Sequence, residues 1–546
     1  MAPVTQSLNR MASFPQVEQL PEGHVGRAWW NGTLPGLPDG RLWPVPTSQV
    51  DWEERLNQGA EHIDRALLKE RVLSQYRDAG MAVPARAFDL DGERVRTVTT
   101  GHQLCIAGGP AFTCYKILTA IHLAHWLEDR FGTPVVPVFW LASEDHDFEE
   151  IRSVWDGAGW MDWNPPFPTG GPVGRMASDG LKSVLSAWGD RLGFTQEQRW
   201  AESAGDAPNL ATAMRKWIHA MFGPDRVVVL DGDDGPLKAV FAACMAREVQ
   251  EGMAFAEVGR CNAVLEQGGF TPQVHVRTCN LFHLTGGGRH RIERGDEGWR
   301  SLGGVQWPTE EALLSDIHGQ PEAFSPNALL RPVYQSMVLP DVAVVGGWAE
   351  VSYWLQLPLV YNRLSIPQPA LVPRDGALVL PPKWSALMDR CGIGEGALGA
   401  SLQDWQAAIV DGAELPDLER WRSSLHHEAA AAETAHAALD PSLVSSVRAA
   451  LAKMEGLLDK LGQQGERAIR RREQVAMDRM AKLHAWVQPN GKLQERVAGM
   501  SLLSAEWERT GSDGGSLTHA LDTAFKKGHG EGVWRPLMHV IRPPMG

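Results

Sequence analysis

The stretch PVVPVFWL at 134–141 is an almost continuous apolar run. A strand with no polar face has to be covered on both sides, which is the position of an inner strand in a parallel sheet flanked by helices. Just upstream, RVRTVT at 94–99 is a short β-branched run that predicts a second strand, ending at Thr100-Gly101-His102-Gln103. After Gly108-Gly109-Pro110, residues Tyr115, Leu118, Ile121 and Trp126 recur at helical spacing and predict an amphipathic helix over 111–130. Strand, glycine turn, helix and strand make one βαβ unit. A further strand at 226–230 follows a helix over 208–222 and ends at DGDDG, 231–235. Together these predict an α/β fold with a mostly parallel, doubly wound sheet, in which ligands sit at the carboxyl ends of the strands. Chemistry is therefore to be sought in TTGHQ, SEDHD and DGDDG.

At 546 residues the chain is long enough for several domains or one large α/β domain with insertions. The first 90 residues begin with loops punctuated by Pro35, Pro38, Pro44 and Pro46, and a helical pattern follows over 52–76. Segments of about 150–210 and 255–310 are rich in Gly, Pro and Trp and are read as insertions into a core spanning 1–380. From 381 to 500 the pattern is helical. Val444, Val447, Leu451, Met454, Leu458 and Leu461 alternate spacings of three and four, a coiled-coil seam. The break at Leu439-Asp440-Pro441 supplies a helix start, and a helix of roughly 45 residues from there would reach about 65 Å. The expectation is an antiparallel hairpin with the helix carrying Leu418, Trp421 and Leu425, offering a face for a second subunit; packing within the chain is the alternative. Residues 501–546 are expected to return to the core.

With 43% hydrophobic and 22% charged residues the composition is that of a folded protein, and a net charge of −14 argues against a nucleic-acid scaffold. MAPVTQSLNRMASF lacks the basic start and apolar core of a secretory signal, and no run reaches the ~18 apolar residues of a membrane span. The chain is expected to be cytoplasmic. Its six cysteines show no CxxC spacing, which fits reduced thiols.

In SEDHDFEE, the residues Glu144, Asp145, His146 and Asp147 crowd three acids and an imidazole behind a buried strand. Their mutual repulsion demands a positive counterpart: a metal ion, a substrate ammonium, or structural arginines. Adjacent residues at a strand end point in different directions, so all four cannot ligate one ion, and no metal site is firmly predicted. Thr100, Gly101, His102 and Gln103 precede a helix N-terminus suited to phosphate or carboxylate, with Lys116 one turn further on. Arg331, Glu350 and Arg374 stand at further loop and helix starts where Arg commonly binds anions. Cys105 and Cys114 flank the glycine turn without a base at fixed spacing and are read as core thiols. Walker A, GxGxxG, GxSxG and HExxH motifs are absent from the sequence.

TTGHQLCIAGGPAFTCYKILTAIHLA (99–124), PVVPVFWLASEDHDFEEI (134–151), TPQVHVRTCNLFHLTGGGRHRIE (271–293), FSPNALLRPVYQSMVLPDVAVVGGWAEVSYWLQL (324–357) and QPNGKLQERV (488–497) together resemble the BshC cysteine ligases of bacillithiol biosynthesis. SEDHD combined with RPVYQ and LQER is the specific part. One departure is His102, where that family commonly has Gln. The resemblance implies a Rossmann-like core with connecting-peptide insertions, a coiled-coil dimerisation domain, and a partner nucleotide, ATP or ADP. It implies a ligase that joins cysteine to glucosaminyl-malate, forming an amide. On that basis the acid cluster is expected to bind an ammonium, with one acid or His146 taking the proton, and Arg331 or Arg374 to hold the malate carboxylates. A metal-dependent hydrolase built on Glu144, Asp145, His146 and Asp147, and a noncatalytic assembly protein, are the competing readings.

Overall fold

The apolar run at 134–141 forms a strand that is buried along its whole length, and the rest of the core is arranged around it. A computed structural model describes residues 13–37, 42–193, 204–411, 417–509, 516–529 and 534–543. The chain divides into two compact units, Met1–Pro382 with Gln494–Gly546, and Lys383–Leu493.

The larger unit is centred on five parallel strands: β1 (Arg96–His102), β2 (Val135–Leu141), β3 (Val228–Asp231), β4 (Asp341–Gly346) and β5 (Ala370–Pro373). Their order is β5-β4-β1-β2-β3, and every pairing is parallel. Strand β1 runs on to His102, beyond the predicted end, because Gly101 and His102 pair with Trp140 and Leu141. The crossover helices are α1 (Phe112–Phe131), α2 (Leu210–Phe222), α3 (Gly235–Glu251) and α4 (Arg331–Val338), and α5 (Trp348–Trp354) follows β4. Beneath the sheet, Val98, Leu123, Leu127, Val135, Val345 and Val372 share one apolar cluster.

The segments expected as insertions have their own structure. Within 150–210 lie a hairpin, Ser153–Trp155 with Trp160–Asp162, and a helix, Leu181–Leu192; residues 194–203 lie outside the described residues. After the helix Met253–Gln267, four antiparallel strands between Leu281 and Trp307 join Phe324–Pro326 in a second, five-stranded sheet. The segment after 501 carries Leu537–Ile541, which lies between Ser13–Pro15 and Gly376–Val379 in a three-stranded sheet. Pro38 of the proline-punctuated loops lies outside the described residues.

Two predicted helices are broken. The pattern over 52–76 is two helices, Trp52–Asn57 and Arg65–Asp78, because Asp64 accepts the Leu67 amide and starts a new one. In the smaller unit, α6 (Leu418–Leu439) and α7 (Val444–Arg472) form the predicted hairpin, but the long helix stops at Glu473 and α8 (Gln474–Val487) begins after it. Neither Pro nor Gly marks that break. Arg470, Arg471 and Arg472 fill the last turn of α7, where the helix dipole favours cations. Among the described residues no helix is long and apolar enough to cross a membrane. All six cysteines are free thiols.

The glycine turn between β1 and α1 is occupied by packing. Gly108 has φ +76°, and a Cβ there would lie 1.9 Å from the Trp217 ring; at Gly109 it would lie 2.6 Å from Cys105. Gly108→Ala should therefore combine left-handed strain with overpacking and lose about 2–4 kcal/mol of stability. Urea unfolding would measure this, and an unchanged midpoint would show that the turn can move off Trp217.

Candidate functional site

The strand order reverses between β1 and β4, so the connections beyond their carboxyl ends diverge and leave a crevice, the usual ligand position in such a sheet. A cavity of 440 Å³ occupies it, within the ~300–1,000 Å³ common for small-molecule sites. Its walls include Gly101, His102 and Gln103 from the end of β1, Glu144 and Asp145 beyond β2, and Gly347, Trp348 and Glu350 beyond β4. Arg374 follows β5, Arg331 opens α4, and Phe112 opens α1.

Lys116, expected to bind the ligand beside Thr100–Gln103, does not line the cavity and is instead the fastener of this edge. It is 1% exposed, and its Nζ lies 2.8 and 3.0 Å from the two carboxylate oxygens of Glu350 while donating to the Gly101 carbonyl. Burial lowers the Lys116 pKa, Arg374 and Arg331 lower it further, and Glu350 opposes them. Glu350 also accepts the Gly347 amide at 2.8 Å, capping α5. One ion pair thus ties β1, α1 and α5 together.

His102 stands edge-on to Phe112, with ring centroids 4.9 Å apart. Burial, reinforced by Lys116 and Arg374, pushes its pKa well below the usual histidine range, so it faces the cavity neutral. Thr100 does not reach the cavity: its hydroxyl donates to the Val345 carbonyl at 2.8 Å and staples β1 to β4. Cys105 is buried against the turn, and burial first, then Glu150, pushes its thiol up to about 12, too high for a nucleophile at neutral pH.

The acid cluster divides into separate roles. Glu144 is 2.7 Å from Lys238 Nζ, a protein cation that also meets Asp233 at 2.8 Å. Asp145 accepts from Gln103 Nε2 at 3.0 Å and from the His146 amide at 2.9 Å, with Arg289 3.6 Å away. Burial works against its charge, but those partners outweigh it and hold its pKa below the ordinary carboxylate value. Asp147 turns away to cap the short helix Phe148–Ile151 through the Glu150 amide, and His146 is exposed outside the cavity. The four side chains do not converge, and among the described residues no group of three or more His, Cys, Asp or Glu could hold a metal ion.

The third strand end is structural. Asp234 pairs with Arg71 and caps α3, and Asp233 pairs with Arg175 and Lys238. Asp231 accepts from Ser143, with its pKa pushed up to about 6 by burial and Asp233.

Arg374 is buried and forks onto Glu495, a pairing that outweighs the cost of burial and keeps its pKa high. Its charge is spent within the protein. Arg331 donates to Gln335 at 2.9 Å, and neither it nor Arg496 has an acidic partner among the described residues. Arg289, Arg496, Asn327, Tyr353, Trp348 and Phe112 line the cavity without having been predicted from the sequence. All six lie in the segments that carry the resemblance, and Arg496 is also the last residue of LQER.

Residues 43–375 match Bacillithiol biosynthesis BshC, N-terminal Rossmann-like domain, and residues 377–510 match Bacillithiol biosynthesis BshC, C-terminal coiled-coil domain. Proteins named "Putative cysteine ligase BshC" are similar over most of the chain. That of Cytophaga hutchinsonii is 32% identical over 445 residues, 80% of this chain and 83% of its own. That of Flavobacterium johnsoniae is 29% identical, covering 75% and 78%, and that of Salinibacter ruber is 29% identical, covering 87% and 91%.

Lys238→Met would strand Glu144 and leave Asp233 to Arg175 alone, and should cost about 3–5 kcal/mol in urea unfolding. Adding Glu144→Gln should return part of that loss. Wild-type stability in the single variant would show that the Glu144 charge is met elsewhere.

Proposed function

Because the chain belongs to the bacillithiol biosynthesis BshC family, we propose that it is a ligase joining the cysteine carboxyl group to the amine of glucosaminyl-malate, the last step of bacillithiol synthesis. The observation that carries this reading is a single cavity presenting an ionised acid, Asp145, together with two arginines, Arg331 and Arg496, that lack acidic partners among the described residues. Such a wall suits reactants that carry an ammonium at one end and carboxylates at the other.

In this reading Asp145 holds the attacking amine through its ammonium form and is the carboxylate placed to receive its proton. Gln103 fixes the Asp145 carboxylate, and Arg331 receives the malate carboxylates. Arg374, already forked onto Glu495, shapes the wall and is not free to hold the malate carboxylates. Glu144, neutralised by Lys238, supports Asp145 from behind. His146 and Asp147 lose the roles expected of them, since neither faces the cavity.

A carboxylate is a poor electrophile, and ATP would supply the activation, either giving its terminal phosphoryl group to the cysteine carboxylate and leaving as ADP, or giving its adenylyl group and releasing pyrophosphate. Arg496 has the charge to meet its phosphate oxygens, whereas Gly108 and Gly109 are packed against Trp217 and Cys105 and have no room to wrap them. The six free thiols suit a reducing compartment, and we place the reaction in the cytoplasm.

We also propose that the α6–α7 hairpin pairs with a second copy of the chain. Trp421, Leu457 and Leu461 are 52%, 64% and 42% exposed on it, more apolar surface than a solvated hairpin needs.

Asp145→Asn should lower amide formation from cysteine and glucosaminyl-malate at least ~100-fold while circular dichroism stays unchanged. Asp147→Asn should stay within a few-fold of wild type; undiminished turnover in Asp145→Asn would reject the assignment. Leu457→Glu combined with Leu461→Glu should yield monomers by light scattering, and a dimer that survives both would remove the hairpin as the interface.

A further inference from the structure

Arg331 enters the cavity from the first turn of α4, and one turn further on the same helix face carries Gln335. Gln335 is 1% exposed and uses both ends of its amide: Oε1 accepts from Arg331 Nη1 at 2.9 Å, and Nε2 donates to Asp341 Oδ2 at 2.7 Å. Asp341 opens β4 beside β1, and the hydroxyls of Thr97 and Thr99, alternate residues on one face of β1, both donate to its Oδ1. A continuous chain of hydrogen bonds therefore runs from the amino-terminal edge of the sheet to the cavity at its carboxyl edge.

The polarity of that chain is fixed by chemistry. Burial pushes the Asp341 carboxyl up to about 7, while the donors Thr97, Thr99 and Gln335 favour its ionised form; that form only accepts, so the Gln335 NH₂ must face Asp341 and its carbonyl oxygen must face Arg331. A guanidinium only donates, so that oxygen is what it requires. An amide in place of Asp341 would have its own NH₂ to offer; with Thr97 and Thr99 holding the oxygen, it would turn that donor on Gln335. Gln335 would then flip and present two hydrogens to Arg331, pushing the guanidinium away.

We infer that Asp341 and Gln335 are positioning residues that fix the Arg331 guanidinium in the cavity and thereby set the affinity for the dicarboxylate portion of the substrate. This rests on the reading in which Arg331 receives the malate carboxylates.

The test measures L-malate binding to the full-length protein by calorimetry, and the KM for each substrate. Asp341→Asn should weaken malate binding and raise the KM for glucosaminyl-malate by about tenfold, the loss expected when a bond orienting a charged donor is removed. The KM for cysteine should not move. Gln335→Met, which removes both bonds without touching a strand, should give the same loss if the strand variant folds poorly. In an Arg331→Met background neither substitution should cost anything more. An equal penalty in that background would mean general damage to the fold and overturn the inference. Wild-type affinity in Asp341→Asn and Gln335→Met, with weak binding in Arg331→Met, would overturn the relay while leaving the role of Arg331 intact. Wild-type affinity in Arg331→Met would overturn both.

Discussion

Lys116 carries a charge where almost no solvent reaches it, and such a charge costs several kcal/mol unless oxygen atoms surround it. Glu350 and the Gly101 carbonyl supply those oxygens. Because they belong to the start of α5 and the end of β1, satisfying one ammonium fixes two of the edges that border the crevice. The same charge helps keep His102 neutral. The shape of the cavity and the protonation state of one of its walls thus share a single cause.

Around that ion pair, the ligand-facing edge is sorted by which charges the protein satisfies itself. Glu144 and Asp233 with Lys238 and Arg175, and Arg374 with Glu495, are closed sets of opposite charges, stiff and already neutral. Asp145 remains ionised with Arg289 3.6 Å away, and Arg331 and Arg496 have no acid partner among the described residues. Preorganised charge of this kind costs no reorganisation when a ligand arrives, which is where electrostatic catalysis gains most.

The parallel core was legible because burial on both faces writes itself into the sequence as a polarity pattern, as in PVVPVFWL. Gly101, His102 and Gln103 were legible for the related reason that a strand end before a helix is a topological address. What the sequence concealed were facts of long separation. Lys116 and Glu350 lie 234 residues apart, and nothing local in either marks an ion pair. Lys238, the counterion of Glu144, sits in an ordinary helix, and Arg289 projects from a meander whose alternation was hidden by Gly and Trp. The break at Glu473 carries no breaker residue, and the apolar seam, which fades after Leu461, does not mark it.

The small sheet joining Ser13–Pro15, Gly376–Val379 and Leu537–Ile541 has a temporal consequence. Gln16 bonds to Leu537 across 521 residues of chain, so this closure ranks among the most non-local contacts in the molecule and carries a high entropic toll before it forms. While the polypeptide emerges from a ribosome, β1, β2 and the acids behind them are available early. Arg374 must wait for Glu495, and the strand after it must wait for Leu537–Ile541. A nascent chain would therefore carry one half of the cleft open to solvent until the ribosome has passed Glu495 and Arg496.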